Sequence, residues 1–137
     1  MDWILIEQKL ESLRRALRRI KDKCPVDAKG LAEDVDAQDI LTLNLSRAVQ
    51  ICVDVATHLI SSAELSPPNT MGQAFDVLAT SGVIKEELAT RMKKAVGFRN
   101  IAVHSYEAIN WEIVHAIASK HLSDFEDFAK AVVQAKN

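Results

Sequence analysis

Trp3, Ile6, Leu10, Leu13, Leu17 and Ile20 follow one another at spacings of 3, 4, 3, 4 and 3 residues. A helix returns to the same face about every 3.6 residues, so this pattern lays one apolar stripe along a helix. The strict alternation also suits a seam against a partner helix. Asp2 stands where an N-cap belongs, and Cys24-Pro25 ends the segment, because the residue before a proline is pushed out of helical geometry. Nowhere does the chain alternate with period two for long enough to make a strand. The expectation is an all-α chain.

The rest of the chain reads the same way. After a loop holding Gly30, Asp36 or Asp39 can cap a long second helix to about Ala63. Leu41, Leu45, Ala48, Cys52, Val55, Leu59 and Ile60 form its core stripe, which Val49, Ile51 and Val53 widen, so this helix is covered on more than one side. Asp54 interrupts the run, either at the edge of the apolar band or directed into a polar pocket. Ser66-Pro67-Pro68-Asn69 breaks the chain, and Thr70 with Gln73 forms a capping box for a short helix through Ala79, closed by Ser81-Gly82. A fourth helix starts near Lys85 with Leu88, Met92 and Val96. Asn110 caps a fifth, whose inner face holds Trp111, Val114, Ile117, Ala118, Phe125, Phe128 and Val132. The whole, residues 1–137, reads as a single-domain helical bundle of about five helices.

Composition bounds the function. Apolar residues are 48% and charged residues 26%, as in a folded soluble domain. No run of about 18 apolar residues occurs, so no membrane partner is expected. No leader of basic then apolar residues opens the chain, and the two cysteines, Cys24 and Cys52, suit a reducing cytoplasm. The net charge of −2 argues against a general nucleic-acid coat, yet cations cluster locally. Residues 9 to 23 hold Lys9, Arg14, Arg15, Arg18, Arg19, Lys21 and Lys23, and residues 91 to 99 hold Arg91, Lys93, Lys94 and Arg99 without an acid. Solvated helix faces would look alike. The histidines at 58, 104, 115 and 121 form no His-x-x-x-His pair, no Cys–His cluster and no Glu-x-x-His motif. No metal site, phosphate loop or cofactor is therefore called for.

Chemistry concentrates in Gly97-Phe98-Arg99-Asn100-Ile101-Ala102-Val103-His104-Ser105-Tyr106. On a helix, Asn100 and His104 share a stripe, with Arg99 flanking it and long enough to swing towards the imidazole. Ile101, Ala102 and Val103 between them can press into a core. Arginine with histidine suits a reaction whose nucleophile comes with the substrate, such as the ribose 2′-hydroxyl of RNA. Histidine moves protons near neutral pH, and a guanidinium holds the phosphate as charge builds. The plain alternative is a helix C-terminus finished with cations. Tyr106, the only tyrosine, can pack its ring with a wet hydroxyl or be modified.

Arg99, His104 and Tyr106 together match an Arg-x4-His-x-Tyr pattern, and the chain resembles the HEPN-domain toxins, specifically the HepT-like branch. The resemblance implies a toxin that is a metal-independent endoribonuclease, a homodimer whose two motifs line one cleft. Arg99 and His104 would be catalytic, with Asn100 supporting them. It also implies a minimal nucleotidyltransferase (MNT) antitoxin as partner, transferring AMP to Tyr106. Lys93 and Lys94, with Asp54 on the second helix, are candidate RNA contacts. Two other readings stay open: a non-catalytic module that binds nucleotide or substrate for a nucleotidyltransferase, and a dimeric interaction bundle built on the seam of residues 3 to 20.

Overall fold

The longest apolar stretch of the chain becomes the central helix of the computed structural model, which describes residues 2–136. This helix, α3 (Val35–Ser62), is long and apolar enough to cross a membrane by length and composition alone. Its apolar surface is instead spent on neighbours: α1 (Trp3–Lys23) runs along it, and α4 (Met71–Thr80) and α5 (Glu86–His104) pack on another side. The predicted stripe from Leu41 to Ile60 is buried throughout, as are Val49 and Val53, while Ile51 is half-buried. The remaining elements are α2 (Ala28–Ala32), a 3-10 turn at Tyr106–Ala108, α6 (Trp111–Lys120) and α7 (Ser123–Ala135). No strand is present among the described residues.

Among the described residues seven α-helices replace the expected five or so, for local reasons. Asp27 accepts from the Gly30 amide at 2.8 Å, which starts a single turn in the supposed loop and drops Leu31 fully into the core. The expected fifth helix is two. It breaks at His121-Leu122, where Lys120 ends α6 and Asp124 and Glu126 open α7. Cations at a helix end and acids at the next start both complement the helix dipole. The predicted inner face survives the break, with Val114, Ala118, Phe125, Phe128 and Val132 buried. Phe128 meets Phe75 of α4 edge to face, ring centroids 5.6 Å apart.

Caps set most of the boundaries. Asp2 accepts from the Leu5 amide at 3.0 Å, as expected, but the cap of α3 is Asp34, which accepts from Ala37, and neither Asp36 nor Asp39 takes that role. Thr70 accepts from the Gln73 amide at 3.1 Å, and the Gln73 carboxamide reaches back to the Asn69 amide rather than to that of Thr70. At the end of α4, Gly82 adopts φ +85° while the Val83 amide returns to the Leu78 carbonyl at 2.9 Å. That left-handed turn favours glycine. It points the chain back so that α5 lies against α4 and brings its last turns to the bundle surface.

Candidate active site

The first half of α5 is core and the second half is not. Leu88, Ala89, Met92 and Val96 are buried, whereas Asn100 and His104 are exposed and Arg99 is half-buried. Ile101 is 43% exposed and Val103 50%, with only Ala102 half-covered. The expectation that these three press into the core of the protomer is therefore corrected. The buried stripe of α5 stops at Val96.

Because α5 continues unbroken to His104, Asn100 and His104 do share one stripe of the helix. Arg99 does not swing towards the imidazole. Its Nη1 donates to Asn100 Oδ1 at 3.4 Å and lies 3.8 Å from the Met71 sulfur at the start of α4. Asn100 and Lys93 line one groove between α4 and α5, with Thr70, Met71 and Asp76 on its far wall. On the other side of α5, Lys94, Phe98 and Ile101 line a mostly apolar groove of about 550 Å³ against Ile109, Ile113 and Ile117. The motif helix is thus a ridge between two grooves.

The cations prove unequal. Lys93 is paired with Asp76 at 3.2 Å and Arg91 with Asp124 at 2.8 Å, the acids coming from α4 and α7. Lys94 and Arg99 form no ion pair among the described residues. Within the basic run of α1, Lys9, Arg14, Arg15 and Lys21 face Asp54, Glu11 and Glu126, which agrees with the solvated-face reading. Asp54 sits at the edge of the apolar band, held by Lys9 at 3.3 Å and Gln50 at 2.9 Å. Its partners belong to α1 and α3, so no contact joins it to Arg99, Asn100 or His104. Among the described residues no three of His, Cys, Asp and Glu gather as a metal-ligand set.

Past His104, the Ser105 amide closes the helix on the Ile101 carbonyl at 2.8 Å, and Tyr106 enters the 3-10 turn. The tyrosine is 42% exposed, and its ring packs edge-on against Trp111 at 6.1 Å. Its hydroxyl is not simply wet: it donates to Asp39 Oδ1 at 3.1 Å. Burial, and then the Asp39 carboxylate as acceptor and neighbouring charge, hold the phenol proton above its ordinary range, with the Thr42 hydroxyl opposing them. Asp39, expected only as a possible helix cap, is a contact of Tyr106 that sequence reasoning missed. It lies 67 positions away from Tyr106, and no local pattern joins the two.

A family model described as "Ribonuclease HepT-like" matches residues 13–132. The chain is 34% identical over 128 residues to the mRNA nuclease HepT of Shewanella oneidensis, covering 93% of this chain and 96% of that one. It is 24% identical over 129 residues to the tRNA nuclease HepT of Aphanizomenon flos-aquae, covering 94% and 88%. A solved structure of a tri-AMPylated Shewanella oneidensis HEPN toxin in complex with its MNT antitoxin superposes with a TM-score of 0.87. The identity there is 35%, over 95% of this chain and 96% of that one.

Proposed function

The chain belongs to the HepT-like ribonuclease family, and from that membership we propose that it is the endoribonuclease toxin of a pair whose antitoxin is an MNT-type nucleotidyltransferase. The observation that carries the reading is the ridge itself, where Arg99, Asn100 and His104 stand at the surface on the end of a helix whose first half is core. In the proposed reaction the 2′-hydroxyl of a ribose attacks the adjacent phosphorus, and the 5′-oxygen of the next nucleotide leaves. His104 takes or returns the proton, and Arg99, oriented by Asn100, stabilises the charge on the phosphate oxygens. Those steps need no metal and no cofactor, because the substrate supplies the nucleophile. Lys94 is the better placed of the two lysines to meet phosphate, since Lys93 already has Asp76.

The same reading makes the working unit a homodimer with both motifs on one cleft. Ile101, Val103 and Ile113 are 43%, 50% and 54% exposed beside the motif, which a partner copy would cover. Gly97 supports close approach there. A Cβ at this position would meet nothing within the protomer, so packing inside one chain does not explain a residue that costs a helix about 1 kcal/mol relative to alanine.

Neutralisation is proposed at Tyr106, two residues past His104. The Shewanella oneidensis toxin is AMPylated in complex with its MNT antitoxin, and an adenylate on Tyr106 would place a bulky anion where the RNA phosphate must sit. The test of the nuclease is incubation of parent and His104→Ala with total cellular RNA in EDTA. Cleavage by the parent alone, leaving 2′,3′-cyclic phosphate ends, is expected. Equal cleavage by both proteins, or cleavage only after a divalent ion is restored, would overturn the mechanism.

A further inference from the structure

If Tyr106 is to accept a nucleotide, its proton must go somewhere, and the structure shows one acceptor already in place. Asp39, in the second turn of α3, takes the phenol hydrogen bond at 3.1 Å while Trp111 supports the ring from α6. Among the described residues Asp39 forms no ion pair, so its carboxylate is not committed to a cation. Together with burial of the ring, the Asp39 charge holds the phenol proton more tightly than usual. We propose that Asp39 is the catalytic base for adenylylation of Tyr106, so that the toxin chain itself supplies the proton acceptor for its own inactivation. The proposal rests on the reading of Tyr106 as the modified residue.

The step balances without a further reactant beyond a nucleoside triphosphate held by the nucleotidyltransferase. The Tyr106 oxygen attacks the α-phosphorus and forms the new O–P bond. The bond from that phosphorus to the oxygen bridging it to the β-phosphorus breaks, and pyrophosphate leaves with the electron pair. The phenol proton passes to Asp39 Oδ1 and then to solvent. A neutral phenol is a weak nucleophile, and the surroundings that push its proton affinity up leave little phenolate at neutral pH. An acceptor already bonded to the proton lets deprotonation and attack occur together. Once the phosphodiester has formed, its charge lies beside a regenerated carboxylate, and their repulsion turns the adenylate away from α3.

The test compares parent, Tyr106→Phe, Asp39→Asn and Asp39→Glu, each incubated with the MNT antitoxin of the Shewanella oneidensis complex and ATP labelled at the α-phosphate. Asparagine can still accept the phenol hydrogen bond but cannot take the proton. The expected result is labelled parent and unlabelled Tyr106→Phe. Asp39→Asn should be slowed about 100-fold near neutral pH and recover as pH rises, and Asp39→Glu should be partly restored. A merely structural aspartate would not change the pH profile. Asp39→Asn labelled at the parent's rate, with the parent's pH dependence, would overturn the base while leaving Tyr106 as the site. An unlabelled parent, or a labelled Tyr106→Phe, would overturn the site and the base together. A second measurement needs no partner: Tyr106 is the only tyrosine, so its phenolate absorbance titrates alone. The Asp39→Asn midpoint should fall towards that of an ordinary phenol, and coincident curves for two folded proteins would overturn the contact on which the assignment stands.

Discussion

No hydrogen bond joins Arg99 to His104 among the described residues of one protomer, and this has a measurable consequence for how the proposed dimer works. Five residues of helix separate them, so they stand about 7.5 Å apart along the axis and about 140° apart around it. The guanidinium is turned to Asn100 and Met71 instead. If each catalytic centre joins the arginine of one chain to the histidine of the other, Arg99→Ala and His104→Ala chains must complement one another. Either single variant alone should lose roughly 10²- to 10⁴-fold in cleavage rate, the usual worth of a positioned acid or base. Refolding equal amounts of Arg99→Ala and His104→Ala together makes about half of the dimers mixed. Each mixed dimer keeps one complete cross-chain centre of two, so total activity should return to about a quarter of the parent's. The assay is initial-rate cleavage of a labelled RNA, with mixed dimers counted by native mass spectrometry. Mixed dimers present in that proportion and no more active than the single variants would refute cross-chain pairing and return both residues to one protomer.

Other consequences follow from the same geometry. Ile101→Asp with Ile113→Asp should give a monomer by light scattering that keeps its helical circular dichroism and loses RNA cleavage; a fully active monomer would sink the shared cleft. Phe128→Ala removes a ring that is fully buried against Phe75, and should cost about 3–5 kcal/mol in urea unfolding. The raised proton affinity of Tyr106 also links stability to alkaline pH. Because the folded state holds the phenol proton more tightly than the unfolded chain, its contribution is complete below about pH 10, the unfolded value, and is lost as pH rises through the folded one. Thermal melts of parent and Tyr106→Phe should therefore converge as the pH climbs past that range, and a constant difference would argue against the Asp39 contact in solution.

Periodicity made the architecture legible wherever a stripe was long. The core faces of α1 and α3 and the inner residues on either side of the α6–α7 break needed only the helical repeat and the rule that apolar faces seek cover. The errors arose where a boundary depended on a single side chain. Asp36 and Asp39 were the caps expected from the sequence, and only the path of the chain from α2 into α3 makes Asp34 the one that meets the Ala37 amide. Likewise the continuous apolar spacing through residues 111–132 concealed a break, since Leu122 stays buried while the backbone turns around it.

The site divides by the same distinction. Arg99, Asn100, His104 and Tyr106 stood out as candidates because they lie within eight residues and their types carry the proposed chemistry. Their environment was not: three apolar residues between arginine and histidine look like core on a helical wheel, yet Ile101 and Val103 face outwards. A wheel assigns residues to a face without saying whether this chain or another covers it. The exposed face therefore argues for a partner, and the Asp39–Tyr106 contact makes the complementary point about chemistry. Once α3 is not capped by Asp39, that carboxylate is free for another task, and the fold gives it the phenol at the end of the motif. Asp39 is left by the cap at Asp34 without the job its position suggested, and the substitution Asp39→Asn tests whether the phenol contact carries the proposed proton transfer.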